Sequence, residues 1–445
     1  MMATRATADT AIMTRTKPRR RFESAILEVP KTMAKVFPFQ PYRYAPKAGD
    51  INDLVTQPYD KITPGMQKHY LLRSPYNLVR VILGERLDSD NETENVYTRA
   101  SQHFRDWISE GILEKDAEPG FFAYFQEFTV PFSGEKLTRK GFIGLGAVED
   151  YSAKVVHRHE QTLSGPKKDR RSVLEHTRAH FGQIFMLYPD PECRIDAILD
   201  QAAKATPVTE VRDEHDTIHR LYKISHRSQI DEIQRHMSDK KLLIADGHHR
   251  YETSMAFKAD HPELADAGNV MMTFVNMYSP GLRILATHRV LNNLTDFEPA
   301  KFFASAQKDF KVKKLNSIEE LKGIFEKPAP EKIRIGVVTA DGIHLLERER
   351  NGGLDVRVLH EDILEGHLGI SADDVREEKH IHYVRGIDPA VAAVGDGSAQ
   401  VAFLLEPTAI QQVADTSFSG GVMPQKSTDF YPKMLTGLTI YRLEK

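Results

Sequence analysis

The stretch Leu243-Ile244-Ala245-Asp246-Gly247-His248-His249-Arg250-Tyr251-Glu252-Thr253 decides how this chain is read. Residues 242–245 form a short apolar run that predicts a buried strand, and a helix is expected from about Tyr251 to Ala259. Between them Gly247 lets the backbone turn sharply and approach a ligand closely. A helix start leaves N–H groups without partners inside the helix, and the helix dipole favours an anion there. Arg250 supplies a planar fork suited to phosphate or carboxylate. His248 and His249 supply donors, or a base tunable near neutral pH. The plainer alternative is an Asp-capped helix with exposed polar residues. The density of Asp246-Gly247-His248-His249-Arg250 favours an anion-gripping loop.

Outward from this box the patterning is mixed. Asn77–Leu83 alternates and is β-branched, which predicts a strand. Val96, Ala100, Phe104 and Ile108 recur at helical spacing behind Asp90 or Asn91, with Gly111 closing the helix. Phe121–Val130 and Thr138–Val148 flank Ser133-Gly134 as a meander. A helix is expected over Asp169–His180, and strands over Gln183–Tyr188, Leu221–Ile224 and Val270–Met277. A strand running from Leu282 ends at Thr287-His288-Arg289, where a strand-end histidine is expected. Beyond Asn292-Asn293 the texture changes. Ser317 and Glu320 suggest a capping box for Ile318–Phe325, and Ala340-Asp341-Gly342 suggests a hairpin turn. Val358–Leu368 reads as helix, and Ile381–Arg385, Gln400–Leu405 and Leu435–Leu443 as strands. Meanders combined with single α crossovers predict an α+β (mixed α/β) fold with mixed sheets, not a regular Rossmann alternation. The expected division is a basic, disordered extension over 1–33, a main α/β domain over 34–290, and a C-terminal α/β portion over 291–445. That last portion packs on the main domain and returns a Lys-Ser-Thr loop to its site.

Composition narrows the function. The chain has 445 residues, 40% hydrophobic and 28% charged, with a formal net charge of −3, so no global basic field holds nucleic acid or a membrane surface. No apolar run approaches the roughly 18 residues of a membrane-spanning helix. The single cysteine, Cys193, makes neither an internal disulfide nor a thiolate metal site and fits a reducing, cytoplasmic setting. Met1–Arg21 is rich in Thr, Ala and Arg but has no apolar core, so it does not read as a secretory signal.

Three further segments carry polar clusters. In 157–171, Glu160 is a candidate base or magnesium ligand, and Ser164, Gly165, Lys167 and Arg170 are candidate phosphate contacts. The plainer alternative is a Ser164-capped helix with a solvated basic face. His157 and His159 could share a side of an extended segment, but no third ligand at a diagnostic spacing supports zinc. Near the C-terminus, 420–428 imitates a phosphate-binding P-loop and fails. Gln425 stands where glycine is required, and Pro424 removes a backbone donor. Lys426, Ser427 and Thr428 stay candidates for an anionic ligand, against a purely structural closing loop. Asp60, in the turn Pro58-Tyr59-Asp60-Lys61, is the weakest candidate.

The strand, Asp-Gly-His-His-Arg and helix pattern resembles the Gly-x-x-Arg box of the fold shared by sulfiredoxin, the ParB chromosome-partitioning CTPases and a free-serine kinase. That resemblance implies a grip on nucleotide phosphates. More of the chain is covered by a second resemblance. Pro58-Tyr59-Asp60, His159–Arg170, the 245–253 box and Met423–Lys433, in this order, resemble the bacterial and archaeal family called domain of unknown function 1015.

Together these readings favour a kinase-like enzyme that transfers a phosphoryl group from ATP or ADP with magnesium to a small hydroxyl metabolite such as serine. Gly247, Arg250 and Lys426 would hold phosphate, Glu160 would accept the hydroxyl proton, and Asp246 would coordinate magnesium. No other metal is expected. The alternatives are a nucleotide-binding regulatory or nucleic-acid-associated protein, and a phosphate-ester hydrolase using His248 or His249. Nucleic acid is disfavoured by the charge, and the sequence leaves the oligomeric state open.

Overall fold

The computed structural model describes residues 34–160 and 164–444, the side chains of 164–166 excepted. The expected extension over 1–33 therefore lies outside the described residues. Residues 34–444 carry two large sheets. The first is nine-stranded and mixed. Its order is Val156–His157, Leu242–Asp246, Ile184–Tyr188, Asn269–Asn276, Lys136–Ala147, Phe121–Thr129, Ile218–Ile224 and Thr209–Arg212, with Val36–Phe37 added beside Lys136–Ala147. The second is six-stranded and antiparallel throughout: Lys311–Leu315, Gly342–Glu349, Lys332–Thr339, Val401–Leu405, Thr287–Leu291 and Ile381–Arg385. This is the mixed α/β architecture that the patterning predicts.

The motif strand explains its own composition. Leu242 and Ile244 pack with Ile184, Met186, Val270 and Met272 on one face, under the helices Arg194–Ala202 and Arg227–Met237. Leu243 and Ala245 point into the opposite core, which continues to Ile335, Val337 and Phe403 of the second sheet. A strand buried on both faces needs apolar residues at consecutive positions, which is why no alternation is visible here. At about 25 cal/mol per Å² of apolar area, each fully buried Leu or Ile contributes roughly 1.5–3 kcal/mol.

Some elements differ from expectation. Asn77–Leu83 is not a strand but a turn leading into the short helix Val79–Ile82. Asn77 accepts from the Val79 N–H at 2.9 Å and donates to the Asp53 carbonyl at 2.7 Å, which closes the turn. Burial of Val79, Val81 and Ile82 then outweighs their β preference. The strand from Leu282 is two strands, Arg283–Leu285 and Thr287–Leu291, which pair in different sheets on either side of Ala286. Leu435–Leu443 pairs as a strand only at Tyr441–Arg442; Thr436 and Ile440 make isolated bridges, and Gly437 at φ +101° bends the chain between them. Ser317 caps Ile318–Phe325 as expected, but Glu320 returns to the Asn316 N–H rather than to Ser317. The helix expected from Asp169 begins at Ser164 and ends at Thr177.

Candidate functional site

The motif strand ends in a bulge. Ile244 faces Met186 and Asp246 faces Phe185, so Ala245 is the extra residue. Gly247 follows at φ +97°, a conformation that L side chains rarely adopt, and opens the helix His248–Asp260. Gly247, its N-cap, has no side chain with which to cap that helix start. Buried Tyr251 and Phe257 fasten it to the core, and the Tyr251 hydroxyl donates to the Glu149 carbonyl at 2.7 Å. Arg250 folds back over the turn: a Cβ on Gly247 would lie 3.0 Å from both its Nε and an Nη, and a Cβ on Gly182 would lie 3.3 Å from the other Nη.

Residues 156–160 form the adjoining wall. The Met423 N–H donates to the His159 carbonyl at 2.7 Å, and the Ser427 N–H donates to Glu160 Oε1 at 3.3 Å. Buried His159 contacts the Ile244 carbonyl through Nδ1 at 2.8 Å and the Thr428 hydroxyl through Nε2 at 2.7 Å. Since a carbonyl only accepts, Nδ1 carries the proton and Nε2 accepts from Thr428. The His248 ring lies edge-on to it at 4.7 Å between centroids. Burial, followed by the neighbouring His159, holds His248 well below the usual histidine range. Burial also lowers His159, and burial and Lys167 lower His249. His248 Nε2 is buried and has no hydrogen-bond partner among the described residues.

The loop 424–433 and the 3₁₀ turn Tyr59–Lys61 complete a cleft of ≈ 1310 Å³, its open mouth included. Asp60, Glu160, Asp246, Gly247, His248, His249, Arg250, Lys426 and Thr428 all line it. Nine of the sequence candidates are thus brought together from four distant segments. Lysines set the charge of Asp246. Burial alone would raise its pKa, but Lys433, Arg250 and Lys61 more than reverse that and keep it ionised. Lys433 lies 3.8 Å from Asp246 and 3.2 Å from Asp429, and Arg385 donates to Asp429 at 2.6 Å. Burial opposes the charge on Lys433, yet Asp246 and Asp429 raise its pKa. Among the described residues, neither Arg250 nor Lys426 has an ion-pair partner within 4.0 Å.

Other candidates lie elsewhere. Lys167 pairs with Glu252 beside Arg158, outside the cleft, because the helix Ser164–Thr177 turns it that way. Arg170 lies over the Tyr59 ring at 3.9 Å and donates to the Ile82 carbonyl at 2.8 Å, so it props Tyr59 rather than facing the cleft. Ser427 is buried, and its hydroxyl donates back to the Pro424 carbonyl. The side chain of Ser164 lies outside the described residues; Gly165 sits in the first turn of its helix. His157 has its ring nitrogens near backbone carbonyls, Nδ1 at 3.2 Å from that of Ser417 and Nε2 at 3.0 Å from that of Lys154. Among the described residues no three His, Cys, Asp or Glu side chains converge to hold a metal ion.

Tyr59, Lys61, Thr287, Tyr383, Arg385, Asp429 and Lys433 also line the cleft. Tyr59, Lys61, Asp429 and Lys433 stand inside the segments singled out from the sequence. Thr287, Tyr383 and Arg385 come from the second sheet with no local signal. Tyr59 and Arg250 also face a second, small cavity of ≈ 70 Å³, whose other walls mix Val173, Phe181 and Ile184 with Arg170, Ser254 and Thr436.

The family model described as "Protein of unknown function (DUF1015)" matches residues 36–368. The chain belongs to this family. The match ends before the Lys426 loop. No curated protein matches. Among solved structures, a conserved hypothetical protein from Pyrococcus furiosus is 14% identical, with a TM-score of 0.35 over 65% of this chain and 92% of that one. Free serine kinase in complex with AMP is 12% identical, with a TM-score of 0.37 over 65% of this chain and 88% of that one. SbnI with C-terminal truncation from Staphylococcus aureus is 11% identical, with a TM-score of 0.34 over 66% and 87%. At these scores none of the likenesses bears on the chemistry of the cleft. Among the described residues no helix is long and apolar enough to cross a membrane.

Proposed function

We propose that this protein is a nucleotide-dependent phosphotransferase acting on the hydroxyl group of a small metabolite. One observation carries the reading. Arg250 lies over a helix start whose N-cap is the glycine Gly247, it and Lys426 have no ion-pair partner among the described residues, and carboxylates line the same cleft. Phosphoryl transfer needs positioning and charge neutralisation more than covalent chemistry, and this set of groups supplies both. The backbone of Gly247–His249, Arg250 and Lys426 would hold the phosphates. Glu160 would accept the proton as the hydroxyl oxygen bonds to the γ-phosphorus and the bond to the β-phosphate breaks, releasing ADP. Asp246 and Glu160 are hard oxygen donors, and magnesium is commonly bound through one or two carboxylates plus phosphate oxygens. Magnesium would neutralise charge on the phosphates. A serine-like hydroxyl is the simplest acceptor, and a cytoplasmic setting supplies both substrates.

The test is thermal shift of the wild type and Arg250→Ala with ATP, ADP and phosphorylated metabolites, followed by phosphorus NMR with ATP, magnesium and a panel of small alcohols. A ligand at one hundred times its Kd should stabilise the wild type by about 2.7 kcal/mol. Arg250→Ala should lose that response, and ADP should appear only with an acceptor alcohol present. No response to any nucleotide or phosphate ester would sink the reading. Phosphate release without an acceptor would favour a hydrolase, and salt-sensitive retention on DNA a nucleic-acid-associated regulator.

A further inference from the structure

Among the described residues Arg139 and Arg289 are the most deeply buried arginines, each 1% exposed. Neither has a carboxylate within ion-pair distance among the described residues. Burying an unpaired charge costs several kcal/mol unless hydrogen bonds compensate. Each gives some of its donors to the same loop, and Arg289 gives another to the Thr287 carbonyl of its own strand. Arg139, in the strand Lys136–Ala147, donates to the Tyr431 carbonyl at 3.1 Å, to the Pro432 carbonyl and to Gln126 Oε1, and lies 4.7 Å from the Phe185 ring centroid. Arg289, in the strand Thr287–Leu291 of the second sheet, donates to the Lys426 carbonyl at 3.1 Å and the Gln425 carbonyl at 3.3 Å, and faces the Tyr383 ring at 5.3 Å. Burial pushes the two guanidinium groups down, to about 9 and about 10, which leaves both charged at neutral pH.

The carbonyls they hold flank the two cleft lysines of the loop. Lys426 itself is gripped by Arg289 and sits at φ +56°, a strained value for a lysine. Lys433 follows the Arg139-held Pro432, and its carbonyl accepts from Gln126 Nε2 at 2.9 Å. We propose that Arg139 and Arg289 are positioning residues, which fasten the loop to one sheet at each end and hold Lys426 and Lys433 toward the cleft before an anion arrives. A loop already ordered spares the ligand the cost of ordering it. The part of this proposal that concerns anions rests on the phosphate reading above; the part that concerns the loop does not.

Hydrogen exchange across residues 424–434 and tripolyphosphate titration of the full chain test the two parts separately. In Arg289→Met the loop amides should exchange at least about tenfold faster, with protection of Asn269–Asn276 unchanged. Arg289→Lys keeps the charge but loses the planar fork, so it should protect the loop only in part, and it serves if the methionine variant does not fold. Tripolyphosphate affinity should fall about tenfold in Arg289→Met and in Lys426→Ala, with no further loss when the two are combined. Unchanged loop exchange, a uniform rise across the whole chain, or additive losses would each overturn the proposal. If the wild type ignores tripolyphosphate, the phosphate reading fails, and loop exchange alone decides the positioning role.

Discussion

Gly247→Ala is the most informative single change. Two costs follow from the geometry. At φ +97° an alanine is strained by about 1–2 kcal/mol. Its Cβ would also lie 3.0 Å from the Arg250 guanidinium. That group is the far end of a flexible side chain and can swing aside cheaply, so unfolding should shift by only a few degrees. Binding is affected differently. A displaced Arg250 gives up a charge-assisted bond to phosphate worth about 1.5–3 kcal/mol, a loss of roughly 10- to 150-fold in Kd. Calorimetric titration with ATP or tripolyphosphate should show that loss, and Arg250→Ala should show a similar one. Because both changes remove the same group, the double variant should bind no worse than Arg250→Ala. Wild-type affinity in Gly247→Ala, or losses that add in the double variant, would refute the view that Gly247 exists to seat Arg250.

Asp246→Asn removes the negative charge beside Lys433 and Arg250. It should tighten tripolyphosphate roughly tenfold while abolishing phosphoryl transfer; weaker binding would remove Asp246 from the anion's surroundings. Leu243→Ala, at a fully buried position of the motif strand, should cost about 2–5 kcal/mol in urea unfolding. His288 is held down to about 4 by burial first and Arg289 second, and its Nδ1 accepts from the Leu405 N–H at 3.2 Å. Its folded pKa is below the ordinary value of 6.5, so its stability contribution is complete above about pH 6.5 and is lost as pH falls toward 4. That loss amounts to roughly 3 kcal/mol and should be smaller in His288→Gln. An unchanged pH dependence in that variant would assign the loss to other groups.

The motif box was legible because its logic is local: an apolar strand, a glycine and a helix start follow within a few residues. Thr287, Tyr383 and Arg385 were not legible, since a strand residue gives no local hint that a second sheet brings it to a cleft. Arg139 and Arg289 stayed hidden for a related reason: their partners are carbonyls about 290 and 140 positions away, which no side-chain pattern records. Lys167 and Arg170 look like one cluster in the sequence, yet their neighbours in space differ. On the helix Ser164–Thr177 they occupy different faces, one toward Glu252 and the other toward Tyr59. At 77–83 the β-branched composition described burial, which a short helix satisfies as well as a strand.

The bulge at Ala245 has a consequence for how the molecule can change. Side chains of a strand alternate with period two, so one extra residue shifts everything beyond it by half a cycle. Leu242, Leu243 and Ile244 keep time with the sheet, while Asp246 keeps time with the cleft. Interior and mouth therefore run on separate clocks. Substitutions before the slip should register as stability, and those after it as chemistry. Deleting Ala245 would put both on one beat, turning the Asp246 carboxylate out of phase with the lysines that keep it ionised.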